Sequence, residues 1–329
     1  MIKRSAISRI FVLAISLLMV VNFAACNAAS SATDDFGVND DFHIELLSPL
    51  GSGRYRSPSW SPDGRYLAFT FSGAEIQLWI LDTEGGELKQ LAEEVYLDRP
   101  DIVWQNDYHI AFLSSESFRS VNIETDELET LVEEAACWRG FAFDPKDENR
   151  LIVSQYQCYP RNVYHRSDLY AIDLEQLIHE QLTDTPDISE QVPIFSHDGL
   201  SLAYFIVVDK DLDKGELSEY GIVVESPDQA PLTIKAPITE DMHELDWSPN
   251  DNGLAFRARY DGEVYTDAGL FFIDLANIDQ PRKLLGSRDI EGGISQFSWA
   301  TADNKIAIVT VGYPGGGNDL LVATKEGDW

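Results

Sequence analysis

Pro58-Ser59-Trp60-Ser61-Pro62-Asp63-Gly64-Arg65-Tyr66-Leu67-Ala68-Phe69 decides the fold. A short strand ends in tryptophan, a Pro-Asp-Gly sequence turns the chain, and an apolar strand leaves the turn. Downstream come IQLWILD (residues 76–82), a Gly85-Gly86 turn and LKQLAE (residues 88–93). Four short strands in about 40 residues are the unit of a propeller blade.

The unit repeats. The position of Trp60 returns as Trp104, Phe143, Phe195, Trp247 and Trp299, at steps of 44, 39, 52, 52 and 52 residues. The second strand returns as YHIAFL, RLIVSQ, SLAYFI, GLAFRA and KIAIVT, and the third as SVNIE, LYAID, GIVVE, LFFID and LLVAT. Strands that conserve their order while their spacing varies imply fixed blades with loops of variable length. The sixth copy stops at Trp329 before a fourth strand, and HIELLS (residues 43–48) stands unmatched ahead of the first. The expected fold is therefore all-β, a six-bladed β-propeller closed by an N-terminal strand that completes the last blade. Such closure removes the free edges of an open array.

The blade resembles the WD-type repeats of the TolB-like propellers, with the pattern P-x-W-S-P-D-G-x-x-L-A-F at residues 58–69. The resemblance spans residues 43–329 and is degenerate in the second blade, where Gln105-Asn106-Asp107 replaces Pro-Asp-Gly. It implies the fold. It does not carry a function, because unrelated activities share propellers, and nothing here supplies the separate N-terminal domain of TolB.

The N-terminus has a different grammar. Lys3, Arg4 and Arg9 precede an apolar run at residues 10–21, then Phe23-Ala24-Ala25-Cys26. That order is a secretory signal, and the run is short for a membrane span. Phe23-Ala24-Ala25-Cys26 resembles a bacterial lipobox, although leucine is usual where Phe23 stands. The resemblance implies acylation of Cys26, the extra chains giving firm anchoring. The expected organisation is a lipoprotein signal peptide at 1–25, a lipidated cysteine and polar tether at 26–41, and the propeller at 42–329. The expected location is the extracytoplasmic face of a bacterial membrane, either the outer face of the cell membrane or the periplasm and outer membrane.

The chain carries a net charge of −32. Removing residues 1–25, with three basic residues and no acid, leaves −35. A surface of that sign repels phosphate backbones, which excludes nucleic acid as a partner of the folded part.

Catalysis finds little footing in the sequence. No Gly-x-Ser-x-Gly elbow occurs, and no room remains for the hydrolase domain that accompanies some propellers. Ser196-His197-Asp198 are consecutive in a tight turn and cannot converge on one proton path. A metal-assisted lyase for pectin fragments is the enzyme alternative, since such lyases resemble this repeat family. The six histidines nevertheless have no paired ligand spacing. No cofactor is expected. Asp209, Asp211 and Asp213 alternate as calcium ligands do, but a solvated acidic hairpin is the preferred reading.

Two features point to binding instead. The extra residues of the longer blades lie between the second and third strands, at 157–167, 209–219, 260–267 and 312–318, which places them on one face. The first of these loops lacks acids from 149 to 167 and mixes Tyr156, Tyr159, Arg161, Tyr164, His165 and Arg166, a composition favoured at interface hot spots. With Phe143 opposite Leu151, residue 137 falls opposite 157, so Cys137 and Cys158 are expected to form a disulfide at the base of that loop. These residues make a non-catalytic scaffold the expected function, with a protein or saccharide ligand on the long-loop face and the membrane reached through the lipid anchor.

Overall fold

The structure is a computed structural model. It describes residues 42–51, 53–73, 75–93, 95, 102–114, 117–135, 137–156, 166–208, 219–235, 238–240, 244–260, 269–286, 289–291, 293–301, 304–312 and 317–325. All of them belong to the unit Asp35–Trp329. The described residues form strands and turns and no helix.

Six antiparallel sheets follow one another along the chain. In the first blade the order from the axis outward is Arg54–Trp60, Tyr66–Ser72, Ile76–Asp82 and Leu88–Ala92. The innermost strands of the next blades are Ile102–Asn106, Trp138–Asp144, Ile188–Phe195, Leu245–Trp247 and Ile294–Trp299. Each contains or ends on the aromatic that defines the repeat. In the fifth blade Ile238–Glu240 also pairs with the second strand, making that sheet five-stranded.

The Ser61–Tyr66 turn is built from side chains. Ser61 Oγ donates to Asp63 Oδ1 at 2.6 Å, Arg65 N donates to the same oxygen at 3.0 Å, and Tyr66 N donates to Ser61 Oγ at 2.9 Å. Gly64 supplies the positive φ the turn needs. The fourth blade repeats this with Ser196, Asp198 and Gly199. The fifth uses Ser248 and Asn250, with Asp251 taking the left-handed position. One local motif thus sets three hairpins, with glycine or aspartate in the left-handed position.

Closure is as expected from the unmatched strand. Phe42–Leu46 pairs antiparallel with Leu320–Lys325, from Phe42 opposite Lys325 to Leu46 opposite Leu321. Leu47 N and Ser48 N both donate to Leu320 O.

Alternate residues of each strand point to opposite neighbours. Leu67 and Phe69 pack on the sixth blade, while Ala68 between them packs on the second. Both faces are therefore buried, which is why the second strands read as continuous apolar runs. Six hydrophobic clusters result, one at each interface between blades. The interface of blades 3 and 4 is the least apolar. Its cluster holds five buried residues, and beside it lie the hydroxyls of Ser154 and Ser167, both donating to Glu190 O.

Candidate functional site

The innermost strands leave a cavity of about 1090 Å³ along the axis, lined by residues of all six blades. Its two ends differ. Arg54 pairs with Ser72, so the start of each innermost strand lies at the end from which the second-to-third connections leave. Arg54, Arg56, Glu244 and Arg257 line the cavity at this long-loop mouth. Asp107, Pro145, His197 and Thr301 line it at the opposite mouth, where the tight turns lie.

Bulges interrupt the innermost strands along the cavity. The strand register slips between Arg56 and Ser59, between Trp138 and Phe141, and between Gln191 and Ile194. Ser57, Gly140 and Val192 have φ of 48°, 74° and 52°. Each stands three residues before its blade's aromatic. Glu244 and Gln296 occupy the same position in blades 5 and 6, and all five line the cavity. A bulge at a rim re-aims a side chain, and the strain of a non-glycine residue there is a mark of functional sites.

The walls are chemically unequal. Around blades 5, 6 and 1 runs a polar relay. Gln296 Nε2 donates to Glu244 Oε1 at 3.1 Å, and Ser57 N donates to Gln296 Oε1 at 2.9 Å. Arg257 Nε donates to Ile294 O at 2.9 Å. In blades 5 and 6 the side chain of the residue before the aromatic then ties one blade to the next. Trp299 N donates to Asp246 Oδ2 at 2.7 Å, and Trp60 N donates to Ser298 Oγ at 3.2 Å. The facing wall, from blades 3 and 4, is Gly140, Phe141, Ala142, Val192, Pro193 and Ile194, without a charge.

Burial pushes Asp246 up to about 6 against the two backbone N–H groups, from Trp247 and Trp299, that favour its ionised form; the nearby His197 also favours it. The side chain is half-buried, since the cavity reaches part of it. Glu190 is also raised by burial. It is 2% exposed, and one carboxylate oxygen accepts from the Thr185 hydroxyl. A carboxyl raised on folding stabilises most when protonated. For Asp246 that contribution is complete below the unfolded value near 4 and is lost as pH rises through about 6. Asp82 is held near 2 by Arg65 and acts only below this window. Thermal stability is therefore expected to fall between pH 4 and pH 7, with Asp246 responsible for about 1–2 kcal/mol, less than a dry site would give because cavity water reaches it. Asp246→Asn should flatten that slope. A melting profile as steep as wild type's across this range would refute the assignment to Asp246.

Ser196, His197 and Asp198 do not form a triad. The Ser196 hydroxyl donates to Asp198 and to Ser201 O, whereas His197 Nδ1 lies 2.7 Å from Asp251 Oδ1 on the next blade. The other described histidines are dispersed. His43 sits beside Glu45 on the closing strand, His109 beside Asn106 and Asn122, and His179 6.3 Å from the Trp138 ring. Among the described residues no group of three histidine, cysteine or acidic side chains is placed to hold a metal.

Of the loop residues singled out from sequence, Tyr156 ends its strand half-buried and Arg166 Nη1 donates to Thr185 O at 3.3 Å. Tyr159, Arg161, Tyr164 and His165 lie outside the described residues, as do Cys26, Cys158, Asp209, Asp211 and Asp213. Phe143 does pair with Leu151, but the bulge at Gly140 shifts the register by one, so Trp138 faces Gln155 and Cys137 O accepts from Tyr156 N at 2.9 Å. Residue 137 therefore faces 156 rather than 157.

Sequence reasoning passed over the cavity residues. The signal was available: counting back one and three positions from each repeat aromatic finds Asp246, Ser298, Ser57, Gly140, Val192, Glu244 and Gln296.

No protein-family model matches the chain. The uncharacterized protein Atu1656 of Agrobacterium fabrum is 27% identical over 78 residues, 23% of this chain and 27% of that protein. The chain thus matches about a quarter of that relative's length. Among solved structures, TolB from Acinetobacter baumannii aligns with a TM-score of 0.55 at 15% identity, over 72% of this chain and 55% of TolB. The oligogalacturonate lyase of Vibrio parahaemolyticus aligns with a TM-score of 0.57 at 13% identity, over 88% of this chain and 96% of the lyase. At these identities the likeness is one of fold. The chain is a six-bladed β-propeller, similar in fold to TolB.

Proposed function

We propose that the chain is an exported, membrane-anchored, non-catalytic scaffold that takes its ligand at the long-loop mouth of the axial cavity. The observation that carries this reading is the axial cavity itself, whose long-loop mouth brings Arg54, Arg56, Glu244, Arg257 and Gln296 together beside the strained backbone of Ser57. Strained non-glycine backbone of this kind clusters at ligand sites. The Tyr156–Arg166 loop springs from the same face, and its aromatic and guanidinium groups would extend the surface outward. A Cys137–Cys158 disulfide remains part of the proposal, supported by the Cys137–Tyr156 backbone bond that closes the strand pair at that end. Lipidation at Cys26 rests on the Phe23–Cys26 pattern.

The lyase alternative is less well supported. His109 and His197 are engaged by Asn106, Asn122 and Asp251, which leaves the described histidines without a shared focus.

The reading is tested in the producing cell. A photoreactive residue replacing Ser295, on the cavity wall, should give a discrete ligand adduct in the membrane fraction. One replacing Leu177, 57% exposed on the outer edge of blade 3, should give none. Adducts confined to the Leu177 position would overturn the cavity as the binding site. Cys26→Ser should move the unmodified protein out of that fraction, and unchanged partitioning with normal processing would overturn the anchor.

A further inference from the structure

We infer that the ligand is an acidic, partly apolar peptide segment whose carboxylates dock on Arg54, Arg56 and Arg257. The inference rests on the cavity being the binding site and adds the chemistry of its occupant. In a chain with 56 acids and 24 lysines and arginines, three arginines and no lysine line this cavity among the described residues. Arg54 and Arg56 are two apart on one strand, so they share a face. Arg257 reaches the same mouth from the opposite side of the relay, its Nε bond to Ile294 O setting the plane of the guanidinium. Among the described residues lining this mouth Glu244 is the acid, and Gln296 holds one of its oxygens. Guanidinium groups recessed at a cavity mouth focus the local field and draw an anion to themselves. Guanidinium forks select carboxylates by geometry as well as by charge.

The walls separate a peptide from an acidic saccharide. Sugars stack their C–H faces on open aromatic rings, but Trp60, Trp104 and Trp299 are 6%, 8% and 2% exposed, sealed between blades. What faces the arginines is instead the aliphatic wall of Ala142, Val192, Pro193 and Ile194. An extended peptide puts successive side chains on opposite sides. One that alternates acidic with aliphatic residues would satisfy both walls at once.

The experiment selects ligands from a display library of randomised decapeptides on the full chain, with the Arg56→Gln/Arg257→Gln double variant in parallel. Wild type should enrich sequences that alternate Asp or Glu with aliphatic residues. A synthetic peptide of the leading sequence should lose roughly 10- to 100-fold in affinity on the double variant, as expected for two charge-assisted contacts. Should the double variant melt early, Arg54→Gln, at an exposed position, replaces it. A linear trimer of galacturonate serves as the saccharide probe and should neither bind measurably nor be turned over.

Selection without acidic enrichment, or equal selection on the variant, overturns the inference. So does binding of the trimer in preference to the peptides. In those cases a ligand that still crosslinks at Ser295 leaves the cavity reading intact. Absence of any adduct there removes both.

Discussion

Deleting Phe42–Leu46 should lower the melting temperature by about 5–15 °C and make the protein aggregate. The deleted strand is the outer strand of the sixth blade and faces Leu320–Lys325 along its whole length. Phe42 and Ile44 pack on the cluster shared by blades 5 and 6. About five backbone hydrogen bonds at roughly 1 kcal/mol each, and two partly buried apolar side chains at about 1–1.5 kcal/mol each, would be lost. Ordering five residues costs about 5–7 kcal/mol, so the net loss is small, around 1–3 kcal/mol. Two consequences enlarge it. A ring cut open frees its neighbours to part, and the exposed edge LLVATK is long, flat and apolar, a template for pairing with other chains. At about 2–4 °C per kcal/mol for a domain of this size, the predicted fall follows. The diagnostic is rescue in trans. A peptide of residues 40–50 added to the deleted protein should restore much of the transition and suppress aggregation. An unchanged transition in the deletion, or no response to the peptide, would mean that the ring does not depend on its N-terminal strand.

Closure, blade number and hairpin turns could all be read from residue patterns because each is local or repeats. A turn such as Ser61–Tyr66 is fixed by side chains within six residues, and six copies of one strand order leave no second architecture open. The unmatched HIELLS segment even gave the partner of the last blade. The strand register opposite Cys137 differs by one residue from the sequence expectation because a bulge at Gly140 cannot be seen by counting along a uniform hairpin. The cavity was harder still. Asp246 and Trp299, or Gln296 and Ser57, are separated by 53 and 239 residues and meet only because blades 5, 6 and 1 are neighbours in the ring. Nothing in either segment alone announces the contact. The histidine of Ser196-His197-Asp198 makes the same point, since its partner Asp251 belongs to the equivalent turn of the next blade.

The backbone at the bulges supports the second prediction, that Gly140→Val destabilises the protein by about 2–6 kcal/mol while Val192→Gly does not. Gly140 has φ of 74°, and a Cβ there would lie 3.0 Å from Val192 Cα and 3.1 Å from Val192 N. The obstacle is backbone of the adjoining blade, so no side-chain rotation relieves it. Strain of a β-branched residue in the left-handed region costs about 1–3 kcal/mol, and overpacking against a fixed neighbour about 1–3 kcal/mol more. Val192 occupies the equivalent bulge with φ of 52°, yet it is the residue approached rather than the one approaching. Replacing it by glycine removes strain and gives up part of a half-buried side chain, two small terms of opposite sign. The pair of variants therefore separates strain from contact. It also reaches function, because these two residues form the aliphatic wall opposite the arginines. Gly140→Val must push blades 3 and 4 apart where their shared core is smallest, beside the buried Glu190. Wider separation admits water to that carboxyl and lowers its affinity for protons. The variant should accordingly lose part of the fall in stability that accompanies rising pH above the ordinary carboxylate range, along with its overall stability. A variant as stable as wild type would show that the two inner strands can slide apart freely, and the close packing of blades 3 and 4 would then have no part in shaping the cavity.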